Sequence, residues 1–135
     1  MVSQAFPRDT AALASIYEFV RRALKHWDIT EDHAWNVDLV LEELFTNIVK
    51  YGRRSEVPVS LELAWIRPVL TMRLRDEDSD FFDPTAAPAP DVEQPITERR
   101  AGGLGLHFVR RMAERFEYTH ENSVSTLTVT LRLEC

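Results

Sequence analysis

The sequence predicts an α+β fold, a two-layer sandwich with helices packed on one face of a mixed or antiparallel sheet. Apolar residues recur at helical spacing in three separate stretches and alternate with polar residues in four others. The order is two helices, two strands, a long irregular segment, a helix and two strands, which puts the apolar stripes of all three helices against one sheet face.

Leu13, Ile16, Val20, Ala23, Leu24 and Trp27 form the first stripe, opposite Arg21, Arg22 and Lys25, so a helix is expected from about Asp9 to His26. Thr30 then suits an N-cap, with Glu31 and Asp32 in the first turn. Val37, Val40, Leu41, Leu44, Phe45 and Ile48 carry a second stripe toward Gly52. From Val57 the period falls to two. Val57, Val59, Leu61, Leu63 and Trp65 alternate with Pro58, Ser60 and Glu62, and after Arg67 and Pro68 the set Leu70, Met72 and Leu74 alternates with Thr71, Arg73 and Arg75, which predicts a hairpin. The segment from Asp83 to Ala101 contains Pro84, Pro88, Pro90 and Pro95 and is too long for an ordinary connection, so it reads as a lid or a disordered stretch. A third helix is expected from about Leu104 to Arg115. A closing hairpin pairs Phe116–His120 with Val124–Leu133 around Glu121, Asn122 and Ser123.

Composition narrows the function. At 135 residues and 44% hydrophobic content the chain is expected to form one domain, residues 1–135. A net charge of −6 and a pI near 5.2 disfavour a nucleic-acid partner, because counterion release needs a basic surface. Proteins or small ligands are the expected partners. The one cysteine, Cys135, supports neither a disulfide framework nor a cysteine metal site. No apolar run is long enough to span a bilayer, and Met1–Thr10 lacks the apolar core of a signal peptide, so a cytoplasmic location is expected.

Three constellations could carry chemistry. Gly102, Gly103 and Gly105 sit at a helix entrance, where unpaired N–H groups and the helix dipole can receive a phosphate, although a plain loop has the same composition. Glu43, Asn47 and Tyr51 line one flank of the second helix, with Glu42 and Thr46 on the other; the alternative is a hydrated helix edge. Asp76 shares the parity of Leu70, Met72 and Leu74. If the strand persists, its carboxylate points inward and needs a donor; otherwise it joins an acidic turn with Glu77, Asp78, Asp80 and Asp83. Asp76, Asp78 and Asp80 open like a calcium loop, but Phe81 and Ala87 stand where glycine and glutamate are required. His26, His33, His107 and His120 lack metal-ligand spacing.

In order, Glu43-Leu-Phe-Thr-Asn47 with Tyr51, Asp76 before Phe82-Asp83-Pro84, a proline-rich lid at about 83–101, and Gly102-Gly103-Leu104-Gly105-Leu106-His107-Phe108-Val109-Arg110 resemble the N box and two glycine boxes of the GHKL ATPases. Within that superfamily the chain looks most like the anti-sigma-factor serine/threonine kinases. The resemblance implies ATP and Mg²⁺ as cofactors, with Asn47 as the Mg²⁺ ligand and Glu43 as the general base. It gives Asp76 the adenine amino group. Gly102, Gly103, Leu104, Gly105, Leu106 and His107 would surround the phosphates, with Tyr51 in the nucleotide site and Arg99 or Arg100 adding charge from the lid. The implied reaction is phosphoryl transfer to a serine or threonine of an anti-anti-sigma (STAS) protein, with a sigma factor as a second partner and a homodimer as the assembly. One departure stands out: Asp78 occupies the place of a family glycine. It leaves open an alternative, a binding module that sequesters a protein without kinase activity.

Overall fold

A computed structural model describes residues 1–51, 55–79 and 103–133. Strand β1 (Val2–Phe6) leads through a 3₁₀ turn (Thr10–Ala12) into α1 (Leu13–His26), and a second 3₁₀ turn (Glu31–His33) leads into α2 (Ala34–Tyr51). Then follow β2 (Val59–Ile66), β3 (Val69–Asp76), α3 (Gly103–Met112), β4 (Arg115–Glu121) and β5 (Val124–Arg132). The five strands form one antiparallel sheet in the order β1-β2-β3-β5-β4. Among the described residues, no helix is long and apolar enough to cross a membrane.

Local chemistry sets the boundaries. Asp9 caps the first turn, its carboxylate accepting from the Ala11 amide at 3.0 Å. Helix α1 ends in a Schellman arrangement: Asp28 takes φ 54°, its N–H reaches the Lys25 carbonyl at 3.2 Å, and the Ile29 N–H reaches that of Leu24 at 2.9 Å. Buried Ile29 and Leu24 supply the hydrophobic contact that accompanies this motif. Between β4 and β5, Asn122 and Ser123 both adopt positive φ, 52° and 65°, as a two-residue type I′ hairpin requires.

The core lies between the sheet and the helices. Ile16, Phe19, Val20, Ala23 and Leu24 of α1 and Val37, Val40, Leu41, Leu44 and Phe45 of α2 are buried against Leu61, Leu63, Leu70, Met72, Leu74, Leu127, Val129 and Leu131. The helical and period-two patterns therefore identify the faces that meet.

Two expectations need correction. The N-terminal segment forms an edge strand, β1, paired from Val2↔Leu63 to Phe6↔Val59. Its side chains hide this: Ser3, Gln4 and Ala5 are exposed, and the strand is held by backbone pairing and by Phe6, which packs edge-on against Phe19 at 5.8 Å. Helix α3 stops at Met112, and Arg115 begins β4. The Ala113 N–H still bonds to the Val109 carbonyl, but the Glu114 N–H turns to Thr130 on β5, so sheet pairing ends the helix early. The lid, with Arg99 and Arg100, and Gly102 lie outside the described residues.

Candidate nucleotide site

The parity of β3 decides the first ambiguity: Asp76 is the last residue of the strand, faces the helices and is 3% exposed. A carboxylate taken out of water needs donors, and the chain supplies them. Arg8 donates from Nη1 to Oδ2 at 2.8 Å and from Nη2 to Oδ1 at 2.5 Å, a bidentate pair in which both side chains are 4% exposed. The Asp78 amide also donates to Oδ1 at 3.0 Å. The hydrogen bond to Asp76 raises the Arg8 pKa above its ordinary value; burial opposes the shift, and the charges of Asp76 and Asp78 add to it. Arg8 Nε is buried without a hydrogen-bond partner among the described residues.

Register explains how residues far apart in sequence meet. Phe6, Val59, Asp76 and Ser125 lie side by side across four strands, and His120 follows on β4. Arg8, just past the end of β1, reaches over Val59 to Asp76. On the other side Ser125, also buried, is a polar hub. Its hydroxyl lies 2.6 Å from the Ser79 hydroxyl, 2.9 Å from the Tyr118 hydroxyl and 2.9 Å from His120 Nδ1. The Ser79 amide bonds to the Ser123 carbonyl at 2.9 Å, joining the chain after β3 to the β4–β5 turn. Sequence reasoning missed Arg8, Ser79 and Ser125 as members of this cluster. For Ser125 a signal existed, since it shares the parity of inward Leu127, Val129 and Leu131.

On α2, Glu43 and Asn47 are four residues apart and meet on one face. Asn47 is 6% exposed, and its Nδ2 donates to the Glu43 carbonyl at 2.7 Å and to Glu43 Oε1 at 3.0 Å. A main-chain carbonyl can only accept, so this contact fixes the amide orientation and leaves Oδ1 as the acceptor available to a cation. Burial raises the Glu43 pKa, outweighing the opposing hydrogen bond from Asn47 and the charge of Lys50; Glu42 adds to the rise. A half-buried carboxylate with raised basicity can take a proton. Glu42 itself lies on the exposed flank, where its Oε2 accepts from the Tyr17 hydroxyl at 3.0 Å. Tyr51 ends α2, and its side chain lies outside the described residues.

Helix α3 begins at Gly103, so the backbones of Gly103, Leu104, Gly105 and Leu106 make its first turn. The first four N–H groups of a helix have no intrahelical acceptor, which gives this end the donors an anion needs. Leu106 and Val109 are buried and anchor the helix, His107 is half-buried, and Phe108 is 38% exposed. Helix α2 packs against both β3 and α3. The helix bearing Glu43 and Asn47 thus touches both the strand that ends in Asp76 and the helix opened by the glycine run.

The family model described as "Histidine kinase-like ATPase domain" matches residues 6–132. No curated protein matches the chain in sequence. Among solved structures, the Acinetobacter baumannii histidine kinase AdeS superposes with a TM-score of 0.52 at 16% identity, covering 100% of this chain and 69% of that one. The histidine kinase domain from the Erythrobacter litoralis EL346 blue-light activated histidine kinase gives a TM-score of 0.52 at 15% identity, covering 98% and 66% of the two chains. At such identities the two structures speak for the fold, and the family match speaks for descent. With nearly its whole length matched, the chain belongs to the histidine kinase-like ATPase domain family.

Proposed function

We propose that the chain is an ATP-dependent serine/threonine protein kinase acting as an anti-sigma regulatory factor in a partner-switching circuit. It binds Mg·ATP and phosphorylates an anti-anti-sigma (STAS) protein, working as a single cytoplasmic domain, as a homodimer. The observation that carries this reading is the Glu43–Asn47 pair, in which Nδ2 is engaged by Glu43 and Oδ1 is left as a hard oxygen ligand. That donor suits Mg²⁺, which accepts a few protein oxygens alongside phosphate oxygens and water. When bound, the metal neutralises phosphate charge.

The chain's own residues then have distinct tasks. Asn47 would hold the cation, and Glu43, with its raised pKa, would accept the proton of the attacking serine or threonine hydroxyl as that oxygen takes the γ-phosphoryl group and ADP leaves. Asp76 recognises the adenine amino group. The N–H groups of Gly103, Leu104, Gly105 and Leu106 receive the phosphates, with Gly102, His107 and Tyr51 around them and Arg99 or Arg100 adding charge.

A second reading is favoured by one observation: both oxygens of Asp76 are engaged within the chain, and Asp78 stands beside it. In that reading the domain sequesters a protein partner and does not transfer phosphate. The two are separated by isolating bound partners on the immobilised protein and incubating them with Mg·ATP labelled at the γ-phosphate. Label on a partner serine or threonine supports the kinase; a tightly held partner that stays unlabelled supports sequestration.

A further inference from the structure

The side chain facing Asp76 is itself a donor of the kind a base would offer. Arg8 donates to both carboxylate oxygens, the Asp78 amide donates to Oδ1 as well, and each side chain of the ion pair is 4% exposed. We propose that Arg8 is an internal competitor for the base subsite: its guanidinium holds Asp76 in the free protein and must leave before an adenine amino group can donate to the same carboxylate. This inference rests on the reading of Asp76 as the base-recognising acid.

Two features favour release, and a third favours replacement of Arg8 by the base. Arg8 lies beyond the last ladder pair of β1, Phe6↔Val59, so its side chain can turn away while the sheet pairing is kept. Its buried Nε has no hydrogen-bond partner among the described residues, so the docked guanidinium is incompletely satisfied. Its departure would leave Asp76 in need of a donor, a role that the adenine amine fills. Arg8 also lies within the field of Asp78, so the cation offsets the acid that replaces the family's glycine.

The same contact bears on base choice. Once Arg8 has left, the Asp76 carboxylate accepts from the adenine amino group and repels the carbonyl that hypoxanthine carries in its place. Arg8 therefore lowers adenine affinity and narrows the preference for adenine over hypoxanthine.

The test is calorimetric titration of the full chain and its Arg8→Met and Arg8→Gln variants with Mg·ATP and with Mg·ITP, whose base lacks the amino group. Far-ultraviolet circular dichroism checks that each variant is folded. The expected result is roughly tenfold tighter ATP binding in Arg8→Met, about 1.4 kcal/mol, with no gain for ITP. Arg8→Gln, with one amide donor left, falls between; if Arg8→Met fails to fold, Arg8→Gln alone gives the answer. A folded variant that binds ATP no more tightly than the parent makes Arg8 a structural tie and overturns the proposal. An equal gain for ATP and ITP overturns it too, because the effect is then one of general charge. No binding of either nucleotide by the parent or a folded variant removes the base-site reading of Asp76, and the inference with it.

Discussion

Replacing Asp76 by asparagine removes the charge from one side of the Arg8 pair and keeps its shape. Both side chains are 4% exposed and joined by two hydrogen bonds, so the change leaves a guanidinium buried with a neutral partner. Breaking a buried pair from one side costs about 3–5 kcal/mol, against about 0.2–1 kcal/mol for an exposed pair. Asparagine still accepts from one guanidinium nitrogen, which places the expected loss near the lower end, about 3 kcal/mol. At about 2.1 cal/mol/K per residue, a chain of 135 residues has an unfolding entropy of roughly 0.28 kcal/mol/K, so the melting temperature should fall by roughly 10 °C. Differential scanning calorimetry of the nucleotide-free protein measures this directly. The double variant Arg8→Met with Asp76→Leu removes both charges together and should recover most of the loss, since apolar replacement of a whole buried pair is often neutral. A fall of under about 3 °C in the single variant would show instead that the pair behaves as a surface contact.

Glu43→Gln should reduce phosphoryl transfer by roughly 10²–10⁴-fold in a single-turnover assay while leaving Mg·ATP affinity nearly intact. The same variant tests electrostatics: the Glu43 pKa is raised above its ordinary 4.5, so the stability of the protonated form is full below that value and is lost as pH rises through the folded value. Glu43→Gln should therefore melt above the parent at pH 7, with the gap closing in acid; equal melting at both pH values would remove burial as the cause. Burial and the hydrogen bond to Glu42 push the Tyr17 phenol up to about 12, so folding stability should decline between the ordinary 10.0 and that value. Ultraviolet titration of the parent against Tyr17→Phe checks this through the loss of the late phenolate step. Phe45, fully buried, should cost about 3–5 kcal/mol when cut to alanine, read as a lower denaturation midpoint in urea.

Much of the fold was legible in the sequence because burial is periodic. The stripes of α1 and α2 and the alternation of β2, β3 and β5 named the faces that meet, and the parity of β3 turned Asp76 inward. Strand β1 was not legible, because three exposed residues precede its one buried anchor and backbone pairing leaves no side-chain pattern. The α2 pair could be read from a spacing of four residues. The partner of Asp76 could not: Arg8 lies 68 positions away, brought near by two strand registers that no local pattern encodes.

The proposed magnesium-binding amide of α2 is tested most directly by titrating ATP into the protein with Mg²⁺ and with EDTA, in the parent and in Asn47→Ala. Saturable binding that Mg²⁺ strengthens is expected in the parent, with loss of that strengthening in the variant. Binding that ignores both the metal and the substitution, or no binding at millimolar ATP, would contradict that proposal.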